Sequence, residues 1–140
     1  MKIAIGCDPN AVERMEDLIE ILEEKNIEYQ KFPIKDDYPD VAKDVTEAVQ
    51  KGSFDRGILV CGTGIGMAIC ANKFKGIRAA VCHDLYSAQR SILSNDCQVL
   101  TMGAFIIGRS LAQEILKVWL DIERTGGTVK KVKKIEELEK

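Results

Sequence analysis

The chain contains a single histidine, three prolines and one tryptophan, and aromatic residues make up 6% of it. One histidine cannot build a multi-histidine metal centre. His83 has neither a second histidine nor a close cysteine partner, so no metal site is expected. None of the five cysteines, Cys7, Cys61, Cys70, Cys82 and Cys97, falls into a CxxC pair, and their number is odd. That excludes a disulfide framework and a zinc knuckle, and the expected setting is a reducing cytoplasm. No apolar run approaches the roughly 20 residues that cross a bilayer, and Met1-Lys2-Ile3-Ala4-Ile5-Gly6 is punctuated too early for a signal peptide. An excess of one charge is also missing. Lys+Arg 20 stands against Asp+Glu 22 with no basic run interleaved with aromatics, so neither nucleic acid nor a membrane surface is an expected partner. What remains is a balance of 46% hydrophobic and 30% charged residues over 140 positions. That suffices for one domain, residues 1–140, to bury a core without staples.

Apolar runs of strand length alternate with helical periodicity along the whole chain. Strands are expected at Ile3–Cys7, Ile27–Phe32, Arg56–Val60, Arg78–Cys82 and Gln98–Met102. Between the first two, Val12, Met15, Leu18, Ile19 and Leu22 share a helical face, with Asn10 and Glu13 as a capping pair. Pro39 and Asp40 open a second helix, with Val41, Ala42, Val45, Ala48 and Val49 inward, and Gly52 closes it. Further helices are expected from near Gly66, from Asp84 to about Leu93, across Leu111–Leu120, and over Val129–Leu138 after Gly126-Gly127. Strand–helix alternation with short links implies right-handed crossovers and an α/β sandwich of about five parallel strands. Ligands of such sheets bind beyond the carboxyl ends of the strands, where this chain places Asp8, Cys61, His83-Asp84 and Gly103.

The densest signal is Gly57-Ile58-Leu59-Val60-Cys61-Gly62-Thr63-Gly64-Ile65-Gly66-Met67. It reads as a buried strand, alternating glycines, then a helix. Glycines there let the backbone approach a ligand and turn N–H groups toward negative charge. A cysteine beside such amides loses its proton more readily. The spacing is wrong for a dinucleotide fingerprint and no Gly-Lys-Ser/Thr follows, so the oxyanion of a reacting carbonyl fits better than a nucleotide. The bland reading is a tight turn that lets the helix pack close. Asp8 is open between a cap and a rim ligand, with Asn10 the better cap. His83 reads as surface or capping, and Trp119 as core or subunit contact. Cys70, Cys82 and Cys97 read as small core residues, and the lysines from Lys130 to Lys134 as a solvated face.

These residues, together with Ile3–Asp8, Asp37-Tyr38-Pro39, Ala71-Asn72-Lys73, Gly76–Ala80, Tyr86-Ser87-Ala88, Asn95-Asp96 and Gly126-Gly127, resemble the ribose-5-phosphate isomerase B family, which includes the galactose-6-phosphate isomerase subunits. The resemblance implies a Rossmann-like three-layer sandwich with a C-terminal helix. It also implies a homodimer or homotetramer with active sites between subunits, and interconversion of a phosphorylated aldose and ketose through an enediolate without cofactor or metal. By the same resemblance Cys61 matches the base that moves a proton between C1 and C2, and Thr63 the hydroxyl that shuttles protons between sugar oxygens. Gly62, Gly64, Ile65 and Gly66 match the backbone cradle. Asp8, Tyr38 and Asn95 match sugar-contacting positions, with Asn95 supplied by the neighbouring subunit.

The chain departs from the family pattern in one half of the site. Pro9 stands where a histidine is usual, and Ser94 where a ring-opening histidine is usual. Phe105, Thr128 and Val132 stand where phosphate-binding arginines are usual, while Arg109 lies four positions past the first of these. The proton-transfer half survives without the ring-opening and phosphate-gripping half. This points to an isomerase of a sugar phosphate shorter than ribose 5-phosphate. The alternatives are a non-catalytic sugar-binding or partner subunit of a mixed oligomer and, last, a cysteine-nucleophile hydrolase without a histidine partner.

Overall fold

The computed structural model describes residues 1–139. In chain order it contains β1 (Lys2–Cys7), a 3-10 turn (Pro9–Ala11), α1 (Val12–Glu24), β2 (Glu28–Lys31), α2 (Tyr38–Gln50), β3 (Arg56–Cys61), α3 (Ile65–Ala71), β4 (Ala79–Val81), α4 (Leu85–Leu93), β5 (Val99–Gly103), α5 (Arg109–Asp121) and α6 (Val129–Glu136). The strands form one parallel sheet in the order β2-β1-β3-β5-β4.

The three inner strands carry almost uninterrupted small and apolar residues because both of their faces are covered. The outer ones differ. Glu28, Gln30 and Lys31 of β2 are exposed, and charged side chains on an edge discourage pairing with a stray strand. β4 has only three residues, shorter than the five expected at Arg78–Cys82. The second strand is likewise trimmed by one residue at each end relative to Ile27–Phe32.

Side-chain alternation sends Ile3, Ile5, Cys7, Ile58, Val60, Leu100 and Met102 to one face, where α1, α4 and α5 cover them. Ala4, Leu59, Cys61 and Val99 face the other way, toward α2 and α3. Right-handed crossovers dictate this split. Steps from β1 to β2 and from β4 to β5 run one way along the sheet and put their helices on the first face. Steps toward β3 and β4 run the opposite way and put theirs on the second. Trp119 of α5 is fully buried in the first layer. Arg56 lies 4.9 Å over its ring and donates to the Trp119 carbonyl at 2.8 Å, fastening the end of α5 to the start of β3. α6 buries only Val132 and leaves Lys130, Lys131, Lys133 and Lys134 in solvent.

Ile58 sits mid-strand in the central β3 with no exposed surface. Ile58→Ala is expected to cost about 2–5 kcal/mol. Urea unfolding would show this as a lowered midpoint at unchanged slope.

Candidate active site

The sheet changes winding direction between β1 and β3, which send their following segments to opposite faces, and this opens a crevice beyond their ends. Asp8 closes β1 there, its amide donating to the Val60 carbonyl at 3.3 Å, and Cys61 closes β3 beside it. The loop leaving Cys61 is tied down by its carbonyls. Cys61 O accepts from Ala104 N at 2.8 Å and Gly62 O from Phe105 N at 3.0 Å, while Gly64 O accepts from Thr101 Oγ1 at 2.8 Å. With every one of these oxygens held by β5 or the turn after it, the amides are left to the opposite side. Gly64 N donates to Cys61 Sγ at 3.1 Å and Ile65 N to Thr63 Oγ1 at 3.3 Å. Among the described residues no acceptor meets the amides of Gly62, Thr63 or Gly66.

Two glycines are dictated by this geometry. Gly64 has φ +78°, and a Cβ there would lie 2.8 Å from the Met102 carbonyl carbon, so both conformation and space exclude a side chain. At Gly66 a Cβ would come within 2.4 Å of the Tyr38 ring, which lies flush against the start of α3.

A cavity of about 450 Å³ opens over this loop, lined by Asp8, Asn10, Tyr38, Cys61, Gly62, Thr63, Ile65, Gly66, Ile69 and Phe105. Of the sequence-selected site residues, Cys61, Thr63, Asp8, Tyr38, Gly62, Ile65 and Gly66 meet here, with Gly64 directly beneath. Asn95 does not. It is exposed in the connection from α4 to β5, at the amino-terminal end of the sheet, while Cys61 lies at the carboxyl end. A larger hollow of about 670 Å³ also lies at that far end, between the α3–β4 connection and α6, but it contains neither the thiol nor the loop amides. Chemistry, not size, singles out the smaller cavity.

Three expectations need correction or completion. The capping side chain is Asp8, not Asn10, and it caps the 3-10 turn, its Oδ1 accepting from Asn10 N at 3.0 Å; α1 itself starts at Val12 with no side-chain cap, and Asn10 reaches the cavity. His83 is half-buried and does more than sit at the surface, because its Nε2 accepts from Gly103 N at 2.8 Å; the helix cap beside it is Asp84, which accepts from Ser87 N. Ile69 and Asn10 line the cavity without having been singled out for it. Ile69 follows Ile65 by one helical turn, which is the signal that would have found it.

Among the described residues no lysine or arginine lines the cavity. Arg109 is committed to Asp17 and Glu20, Arg14 to Asp17 and the Ile107 carbonyl, and the α6 lysines lie at the other end of the sheet. Burial makes three of the other thiols, Cys7, Cys82 and Cys97, poor bases. Burial, with Asp8 and Glu16 nearby, pushes Cys7 up to about 12. Burial also raises Cys97 to about 12 and Cys82 to about 11. Among the described residues no group of three His, Cys, Asp or Glu side chains could hold a metal ion, and no helix is long and apolar enough to cross a membrane.

Residues 3–138 match the Ribose/Galactose Isomerase family. Ribose-5-P isomerase B of Listeria innocua serovar 6a is 53% identical over 131 residues, 91% of this chain and 88% of that protein. D-erythrulose-4-phosphate isomerase of Pectobacterium atrosepticum is 48% identical over 141 residues, 96% of this chain and 93% of the relative. Among solved structures, ribose-5-phosphate isomerase B of Clostridium thermocellum superposes with a TM-score of 0.95 at 40% identity, covering 99% of this chain and 97% of that one. The chain belongs to the ribose/galactose isomerase family and is an isomerase of sugar phosphates.

The two glycines should respond differently to alanine. Gly64→Ala forces backbone against backbone and is expected to lower both stability and turnover. Gly66→Ala meets only a partly exposed tyrosine ring, so the fold should survive while turnover falls. Thermal unfolding and steady-state kinetics on the two variants check the contrast.

Proposed function

We propose that the chain interconverts a four-carbon aldose phosphate and its ketose through an enediolate, with Cys61 as the base. The observation that carries this reading is the thiol at the cavity, with Gly64 N–H on its sulfur and three neighbouring amides without an acceptor among the described residues. A carbon acid beside a carbonyl needs both a base and donors waiting for the developing oxyanion. In this reading Cys61 takes the C1 proton of the ketose and returns it to C2. The amides of Gly62, Thr63 and Gly66 hold the enediolate oxygens, and Thr63 Oγ1 passes the hydroxyl proton between them. Asp8 uses one carboxylate oxygen for its own turn and has the other for a sugar hydroxyl, and Tyr38 walls the opposite side.

Substrate length follows from covalent chemistry. Ribose 5-phosphate has a free O4 that closes a five-membered ring, so an acid must open it. A tetrose 4-phosphate carries phosphate on O4 and has no hydroxyl left to close a stable ring. A site with Ser94 in place of the ring-opening histidine suits the second substrate. The Pectobacterium relative, nearly half identical, bears the name of an isomerase of this kind.

The missing cation points to a second copy of the chain. Asn95 and Cys61 occupy opposite ends of one sheet, so an antiparallel homodimer is needed to bring them together. Ile65, Ile69, Phe105 and Ile106 leave an exposed apolar rim at the cavity for such a contact. The edge that would arrive carries Arg90, bonded to Ser94, and Arg124, bonded to Asp96.

A panel of four-, five- and six-carbon sugar phosphates tests the proposal. Turnover of the four-carbon pair is expected, with kcat/KM for ribose 5-phosphate lower by about a hundredfold or more, the scale of the general acid missing for its ring opening. Cys61→Ala should lower kcat by about 10²–10⁴-fold with an unchanged circular dichroism spectrum. Activity seen only on mixing with a second family member that brings arginines would favour the partner-subunit reading, which the same lack of cations supports.

A further inference from the structure

β4 ends at Val81, paired with Thr101, while β5 continues to Gly103. The ladder between them makes one more bond, Cys82 N to Thr101 O at 3.1 Å, and the next donor is the Gly103 amide. The group that receives it is the imidazole of His83, whose Nε2 accepts at 2.8 Å. We infer that His83 is a positioning residue of the isomerase site, its neutral imidazole replacing the last strand carbonyl and holding the β5 turn against the catalytic loop. The inference rests on the isomerase reading for its kinetic readout but not for its geometry.

Gly103 is the pivot of that turn. It pairs with Cys61 across the sheet, and its carbonyl accepts from Ile106 N and Ile107 N at 3.0 and 3.1 Å. A Cβ on it would fall 2.5 Å from Thr63 Cα, so the two backbones touch without a side chain between them. The next two amides, of Ala104 and Phe105, hold the Cys61 and Gly62 carbonyls. A shift of Gly103 therefore passes directly to the base and the cradle.

Accepting at Nε2 fixes the tautomer: the proton is on Nδ1. A second proton would set an Nε2–H against the Gly103 N–H and abolish the bond. Burial holds the His83 pKa below its ordinary value. The charged neighbour, Asp84, opposes this, but its oxygens are engaged by the Ser87 amide and hydroxyl. The sign follows from proton counting. The unfolded chain binds the proton more readily, so the bond is fully present above about pH 6.5 and is lost as pH falls through the lower native value.

The test compares pH profiles of kcat/KM for wild type, His83→Gln and His83→Leu, together with nitrogen-labelled NMR of the Gly103 amide in the free wild-type protein. Gln retains an acceptor that does not titrate, so its acid limb should be shallower than that of wild type. Leu should lower kcat by about tenfold at neutral pH, the scale of one buried hydrogen bond, with a smaller change in KM. The Gly103 amide resonance should titrate with the imidazole below pH 6.5. Superimposable profiles for wild type and the Gln variant, or a Gly103 amide indifferent to imidazole protonation, would overturn the inference. Absence of turnover on any sugar phosphate would sink the isomerase reading alone, leaving the amide titration to decide the geometry.

Discussion

The site depends on the direction in which one short run of peptide planes faces. In a trans peptide the carbonyl and the N–H point opposite ways, so anchoring the oxygens of Cys61, Gly62 and Gly64 to β5 and its turn commits the amides to the crevice. No charged side chain is needed to make that wall electropositive. The anchoring also accounts for sequence far from the loop. Thr101 is a polar residue with no exposed surface inside an otherwise apolar strand because its hydroxyl holds Gly64. Gly103 lacks a side chain because Thr63 occupies the space. A slip of one residue between β3 and β5 would break every one of these bonds and turn Cys61 into the opposite layer.

Positive charge near the cavity is consumed before a substrate could meet it. Asp17 is nearly buried, and a buried carboxylate without a partner is costly, so Arg14 and Arg109 both turn to it. Glu20 takes the rest of Arg109. The rim is therefore left with Asp8 and backbone dipoles. Such a surface suits the uncharged, reacting end of a sugar phosphate and leaves its phosphate unmatched. The proposed division of the site between two copies of the chain would answer that imbalance, each copy supplying backbone donors at one end of its sheet and guanidinium groups at the other.

The sequence was a good guide wherever burial on two sides imposed a single pattern. β1, β3 and β5 announce themselves as nearly unbroken runs of small and apolar residues, and amphipathic faces announced α1 and α2. The glycine loop was legible because its residue types are needed by the backbone itself. Contacts between distant residues were not. Nothing in a string of letters shows that an imidazole 20 residues upstream will bond the Gly103 amide, or that β5 will insert between β3 and β4. The mistaken preference for Asn10 over Asp8 has a local cause. Pro9 has no amide to donate, so the turn it starts is capped from the residue before it, and Asp8 is that residue. The weak edge strands were misjudged in length because half-exposed residues carry little pattern.

Cys7 and Cys61 show how fine the placement is. Both end inner strands of the same sheet, side by side at the same rim. In the register Cys7 is opposite Val60, so Cys61 stands one residue further along. Because side chains alternate, that single step sends them to opposite layers. Cys7 enters the packed layer beneath α1, where burial and two nearby carboxylates push its pKa up to about 12 and keep it a thiol. Cys61 enters the layer where α3 begins, buried but lining the cavity, under the Gly64 amide. The same residue type, at neighbouring strand ends, is packed core in one case and lines the cavity in the other, and the parity of one position separates them.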